Sequence, residues 1–152
     1  MTDEAAFDRR VREAIAGAIR TRGGVPRITQ VAADLSADLA LVNASFDRMI
    51  AAHVFIPERS SREIYAYDPF CVPPTDFRVR SDGREWWAIC GWDALGIPAA
   101  LGAAGTVDAA CADCAEPISI AVDRDGSATA NVAAVLSVGV RAAEFWNDIY
   151  FT

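Results

Sequence analysis

Apolar residues recur at helical spacing along residues 4–21: Ala6, Phe7, Val11, Ile15 and Ile19 form one stripe of a helix with a period of 3.6. Gly23 and Gly24 stop it, and Pro26 follows. Thr29 is the expected cap of a short helix running through Leu35. Ser36 is the expected cap of a third helix, with Leu39, Leu41, Val42, Phe46, Met49 and Ile50 on its apolar side. Residues 53–57 and 63–68 alternate as two strands joined by the polar turn ERSSRE. Three short helices followed by a hairpin is the order of a winged-helix unit. The segment FCVPPTDFRV contains two adjacent prolines, which favour extended backbone. It divides the chain into an N-terminal lobe, residues 1–70, and a second lobe, residues 71–152.

In the second lobe Phe77–Arg80 predicts a strand and Ser81–Gly83 a turn. Trp86–Gly102 is apolar and predicts a helix over residues 88–95. A kink is expected at Gly96–Pro98, because proline has no N–H to continue the ladder, and a second short helix after it. Thr106–Ala110 and Ile118–Val122 predict strands around a CADC turn, and Asp123–Gly126 predicts another turn. Residues 128–138 suit one or two more strands, and Arg141–Tyr150 fits helix and strand equally. The expected class is α+β: a winged-helix-like helical lobe, then a small mixed β-sheet lobe carrying a Cys-x-x-Asp helix.

Composition narrows the functions open to such a fold. Of 152 residues 53% are hydrophobic, enough for a buried core. The net charge is −7, and all 14 basic residues are arginine. Phosphate repels a chain of this sign at long range, which argues against nucleic acid and anionic membrane as partners. The third helix carries Asp38, Asp47 and only Arg48 as a cation, a poor complement for DNA. No apolar run reaches the roughly 18–20 residues of a membrane span. The start, MTDEAAFDRRVREAIAG, lacks the basic-then-apolar order of a signal peptide. A cytoplasmic protein is expected, with Cys71, Cys90, Cys111 and Cys114 as reduced thiols. His53 is the single histidine and suits packing or the surface, which speaks against Ser–His or Cys–His hydrolase chemistry. Neither phosphate-binding glycine motif occurs.

The sharpest chemical signal is ICGWDALGIPAALG, residues 89–102. On a helix Cys90 and Asp93 share one face, with Cβ atoms roughly 5–6 Å apart. A first-turn cysteine meets the positive end of the helix dipole, which favours thiolate. The carboxylate opposes this, so the pair tends to hold one proton between them. Sulfur that captures a soft electrophile beside a group that returns a proton is a workable site. The same spacing also suits a buried thiol and a solvated carboxylate.

Over residues 84–122, REWWAICGWDALGIPAALGAAGTVDAACADCAEPISIAV resembles the core of the organomercurial (alkylmercury, MerB-like) lyases. The matching positions are Trp87, Cys90, Asp93, Leu95, Pro98, Gly102, Cys111 and Pro117, and the N-terminal helices and hairpin agree with the family's layout. The resemblance implies protonolysis of carbon–mercury bonds. Cys90 would be the thiolate that captures mercury, and Asp93 the group that takes the proton and returns it to carbon. Cys111 matches a cysteine that is structural in the family. The implied substrate is a small organometallic compound, with mercury as substrate and product ion, small cellular thiols as partners and no required cofactor. One position departs. The family's second catalytic cysteine lies in a C-terminal segment shortly before a Phe-Phe pair, whereas this chain reads AAEFWNDIYFT there and has no cysteine after Cys114. The expectation is either that the sequence stops short of that thiol or that another one, Cys71, Cys111 or Cys114, stands in. The alternative function is a non-catalytic relative that binds mercury, copper or zinc through thiolates, as carrier or sensor.

Cys111-Ala-Asp-Cys114 is the second chemical feature. It suits plain thiols, a redox pair, or half of a metal site, for which zinc would need four ligands. Cys90, Cys111 and Cys114 are therefore the candidate metal ligands. Trp86, Trp87, Trp92, Trp146, Tyr150 and Phe151 suit core packing. Trp87 and Trp92 are the candidates for an apolar wall around the thiol that would exclude water and accept an organic group.

Overall fold

A computed structural model describes residues 3–150. The chain divides into two units, one up to Asp68 and one from Pro69 onward. The first holds helices α1 (Asp3–Arg22), α2 (Ile28–Leu35) and α3 (Leu39–Ala51) and strands β1 (Ile56–Pro57) and β2 (Ile64–Tyr67), which pair antiparallel. The second holds β3 (Phe70–Cys71), β4 (Phe77–Ser81), β5 (Arg84–Ala88), α4 (Gly91–Leu101), β6 (Gly105–Ala110), β7 (Pro117–Val122), β8 (Ala128–Ala130) and a 3₁₀ turn, Ala142–Asn147. The α+β class stands as expected.

In the first unit the apolar stripe of α1 (Val11, Ile15, Ile19) is buried with Val31, Val42, Phe46 and Met49. Phe46 meets Phe55 edge-on, ring centroids 5.2 Å apart. The caps differ from those expected. At α2 the Ile28 N–H goes to Glu63 Oε2 at 3.1 Å and the Arg27 N–H to Gln30 Oε1 at 2.7 Å, so Thr29 lies inside the helix. Ser36, in the left-handed region at φ 49°, closes α2. Asp38 caps α3 by accepting the Ala40 N–H at 2.7 Å, because it directly precedes the helix while Ser36 is taken up in closing α2. His53, at φ 55°, turns the chain out of α3. Arg48 binds Asp8 through two nitrogens, at 2.9 and 2.6 Å, and Asp8 also accepts from Ser45 at 2.6 Å. The one cation of α3 is thus spent on an internal carboxylate, whose pKa it lowers.

In the second unit the strand order is β3-β5-β4-β6-β7-β8. Every described pairing is antiparallel, where a mixed sheet was expected. Tight turns account for most of this: Asp82 (φ 53°) and Gly83 (φ 69°) form the two-residue reversal between β4 and β5. β4 separates β5 from β6, so α4 carries the chain across it. Val79 stands opposite Trp86 and Val107, and together with Ala88 these residues make the buried face on which α4 lies. Trp86 also packs on Phe70, centroids 5.1 Å apart. Trp86, Trp87 and Ala88 belong to a strand whose alternate positions serve two faces, so the helix expected from residue 88 begins only at Gly91.

α4 is one helix, without the break expected at Gly96–Pro98. Pro98 falls in its last turn, where the lost N–H costs one bond and leaves the remainder intact. Gly102, at φ 64°, ends it as glycine commonly does. Pro98 is buried against the sheet, and the fit depends on Gly105: a Cβ there would stand 2.8 Å from Pro98 Cγ and 3.0 Å from the Arg80 carbonyl. β8 is a single short strand. Residues 131–141 are irregular, and Phe151 lies outside the described residues.

Gly105→Ala should therefore lift α4 from the sheet and destabilise the protein by about 1–3 kcal/mol. Thermal unfolding checks this; a Tm unchanged from the parent would contradict the packing account.

Candidate functional site

β5 ends at Ala88, and its carbonyl accepts the Thr75 hydroxyl at 2.5 Å while Thr75 Oγ1 accepts the Phe77 N–H at 3.2 Å. This clamp fixes the backbone two residues before Cys90. Cys90 itself is extended, φ −137° and ψ 172°, and is the N-cap of α4, just outside the first turn in which it was expected. Its Sγ takes the role that a serine or aspartate oxygen usually has: it accepts the Asp93 N–H at 3.5 Å and also the Trp92 N–H. Asp93, three residues on, lies in the first turn, where the helix dipole favours a carboxylate. Cys90 Sγ then donates to Asp93 Oδ2 at 3.3 Å. Thiol and carboxylate thus lie in direct contact at one helix end.

The electrostatics of Cys90 are a contest. Half-burial pushes its thiol up. The amides of Asp93 and Trp92 pull it down, and the charge and accepted hydrogen bond of Asp93 push it up again. The net direction is upward, so at neutral pH the sulfur holds its proton on the line to Asp93.

Apolar groups flank the site. Trp92 is 70% exposed beside Cys90. A Cβ at Gly91 would lie 2.6 Å from Leu136 Cδ1 and 3.5 Å from Phe77 Cε1, so this glycine lets the irregular segment after β8 close on the helix start. Phe77 and Leu136 are the neighbours that sequence reading missed. Phe77 had a faint signal as the first residue of a strand leading to the motif; Leu136 had none, since nothing local links residue 136 to residue 91. Trp87 stands opposite Arg78 and Cys71, on the sheet face away from α4. That face carries an ion network in which Asp108 meets Arg78 at 3.2 Å and Arg80 at 2.8 Å.

The other thiols lie elsewhere. Cys71 is buried on β3, while Cys111 and the exposed Cys114 occupy the turn between β6 and β7. Among the described residues no three His, Cys, Asp or Glu side chains gather as metal ligands, so Cys90, Cys111 and Cys114 do not form one centre. No described helix is long and apolar enough to cross a membrane.

The family model for alkylmercury lyase (MerB) matches residues 70–151, which include Cys90 and Asp93. Among solved structures, one described as the mercury-bound form of MerB2 superposes with a TM-score of 0.60 at 18% sequence identity, covering 82% of this chain and 66% of that one. The chain thus spans just under two thirds of that protein, and at this identity the likeness speaks for the fold. No curated protein matches.

The thiolate is the form that reacts, so a raised pKa means slow alkylation of Cys90 at neutral pH and faster alkylation as pH rises. Asp93→Asn removes the negative charge that opposes ionisation. Its Cys90 should react with iodoacetamide faster than the parent's at pH 7, with the pH profile moved to lower pH. A profile moved to higher pH would contradict the assigned contacts.

Proposed function

The chain belongs to the alkylmercury lyase family, and from that premise we propose that Cys90 and Asp93 cleave carbon–mercury bonds by protonolysis. The observation that carries this reading is the 3.3 Å contact between Cys90 Sγ and Asp93 Oδ2. As an organomercurial approaches, the thiol passes its proton to the Asp93 carboxylate and the sulfur–mercury bond forms, displacing the ligand opposite the organic group. Asp93 then gives that proton to the carbon bound to mercury. The carbon–hydrogen bond forms as the carbon–mercury bond breaks, leaving hydrocarbon, an ionised carboxylate and mercury on sulfur. A thiol whose proton is held until an electrophile arrives keeps the acid within reach of the leaving carbon. Trp92, Phe77 and Leu136 offer an apolar surface to the organic group.

Mercury on one sulfur needs a second donor before it can leave. Since no third His, Cys, Asp or Glu joins Cys90 and Asp93 in a ligand cluster among the described residues, a small cellular thiol is the proposed donor. The same observation favours the second reading, a thiolate-based metal carrier or sensor without turnover. On either reading the protein works in the cytoplasm, and the first lobe, residues 1–70, is a winged-helix-like module that packs without reading DNA, its Arg48 being bound to Asp8.

Phenylmercury with excess small thiol tests the choice. The parent should release benzene over many turnovers, Cys90→Ala none, and Asp93→Asn about 100- to 10,000-fold more slowly, the usual worth of a positioned acid. Stoichiometric mercury binding with no benzene would overturn the lyase reading in favour of the carrier.

A further inference from the structure

The turn between β6 and β7 holds a second pair of thiols that the chemistry at Cys90 leaves unused. Its backbone is closed twice, by the Cys111 N–H on the Glu116 carbonyl and the Ala115 N–H on the Cys111 carbonyl, both 2.9 Å. Ala115 sits at φ 59°, a region that costs a non-glycine residue roughly 1 kcal/mol or more. The closed turn sets the two cysteines three residues apart on one tight reversal, Cys114 exposed and Cys111 partly so. The amides of Cys114 and Asp113 and the Cys114 thiol hold Cys111 below the ordinary thiol range, with Glu116 opposing. The direction is opposite to that at Cys90. Two thiols held three residues apart by a doubly closed turn are a ready pair of soft donors.

We propose that Cys111 and Cys114 form a separate two-sulfur clip for mercuric ion on the hairpin tip. Softness selects a thiophilic cation, and the ligand count selects among them. Zinc needs four ligands in a closed site, and no third acidic, histidine or cysteine side chain gathers there among the described residues. Mercuric ion is satisfied by two thiolates. Two sulfur–mercury bonds form, the two remaining ligands of the ion depart, and the Cys114 proton, with any left on Cys111, goes to solvent. No oxidation state changes. The family membership supplies the choice of ion, but the clip does not require Cys90 to be catalytic.

Cys90→Ala protein isolates the clip. Titrated with mercuric chloride under reducing, thiol-free conditions, it should take up one ion per chain with loss of two protons by intact mass. Cys111 and Cys114 should both become protected from alkylation. Adding Cys111→Ser or Cys114→Ser should weaken retention against competing glutathione by about 100- to 10,000-fold, the advantage of a second tethered donor. Zinc should bind weakly in the same titration. Retention unchanged in the serine variants, hairpin thiols that stay alkylatable, or tight zinc binding with dimer formation would each overturn the proposal. Benzene release by the parent is a separate readout, so failure of the clip is distinguishable from failure of the lyase reading.

Discussion

One proton held between Cys90 Sγ and Asp93 Oδ2 is the interaction on which the rest depends, and it survives only if both ends of a short helix segment are fixed. At one end the sulfur takes the place of a capping oxygen and accepts the first free amides of α4. Behind it the Thr75 hydroxyl holds the Ala88 carbonyl, so the chain enters the helix at one angle. At the far end Pro98 is seated over Gly105, which pins the helix to β6. The sheet is thus a mount, with Val79, Trp86 and Val107 as the apolar surface that keeps α4 from rolling.

The two thiol sites differ in the sign of their surroundings. Cys90 is half buried beside a carboxylate, and both features favour the protonated form. Cys111 is at an exposed turn, and hydrogens pointed at it favour the ionised form. On the proposed function the first arrangement stores a proton for use, and on the proposed clip the second keeps a sulfur ready to bind. A single cysteine pKa for the whole chain would miss this division, because it arises from which groups the local backbone aims at each sulfur.

Much of this was legible in the sequence where the signal is local. The apolar stripe of α1, the ERSSRE reversal and the strands around CADC all follow from periodicity and turn chemistry, and the Cys90–Asp93 spacing put the pair on one helix end. Errors arose where a distant partner decides. Glu63, 35 residues away, caps α2 in place of Thr29. The helix expected from residue 88 begins only at Gly91, because β5 runs on through Ala88 with one face buried. Pro98 looked like a break because its neighbour Gly105 was invisible from the helix alone. The apolar flank of the site includes Leu136 through its approach to Gly91, a contact across the fold that no spacing rule encodes.

The central claim is that capture by sulfur and delivery of the proton are separate acts of two residues, and trapping the species between them tests it most directly. Asp93→Ala protein that also carries Cys111→Ser and Cys114→Ser, mixed with one equivalent of phenylmercury, should hold a phenylmercury adduct on Cys90, found by intact mass and peptide mapping, with no benzene released. Cys90 left free of the adduct, or benzene released at the parent's rate, would contradict the account.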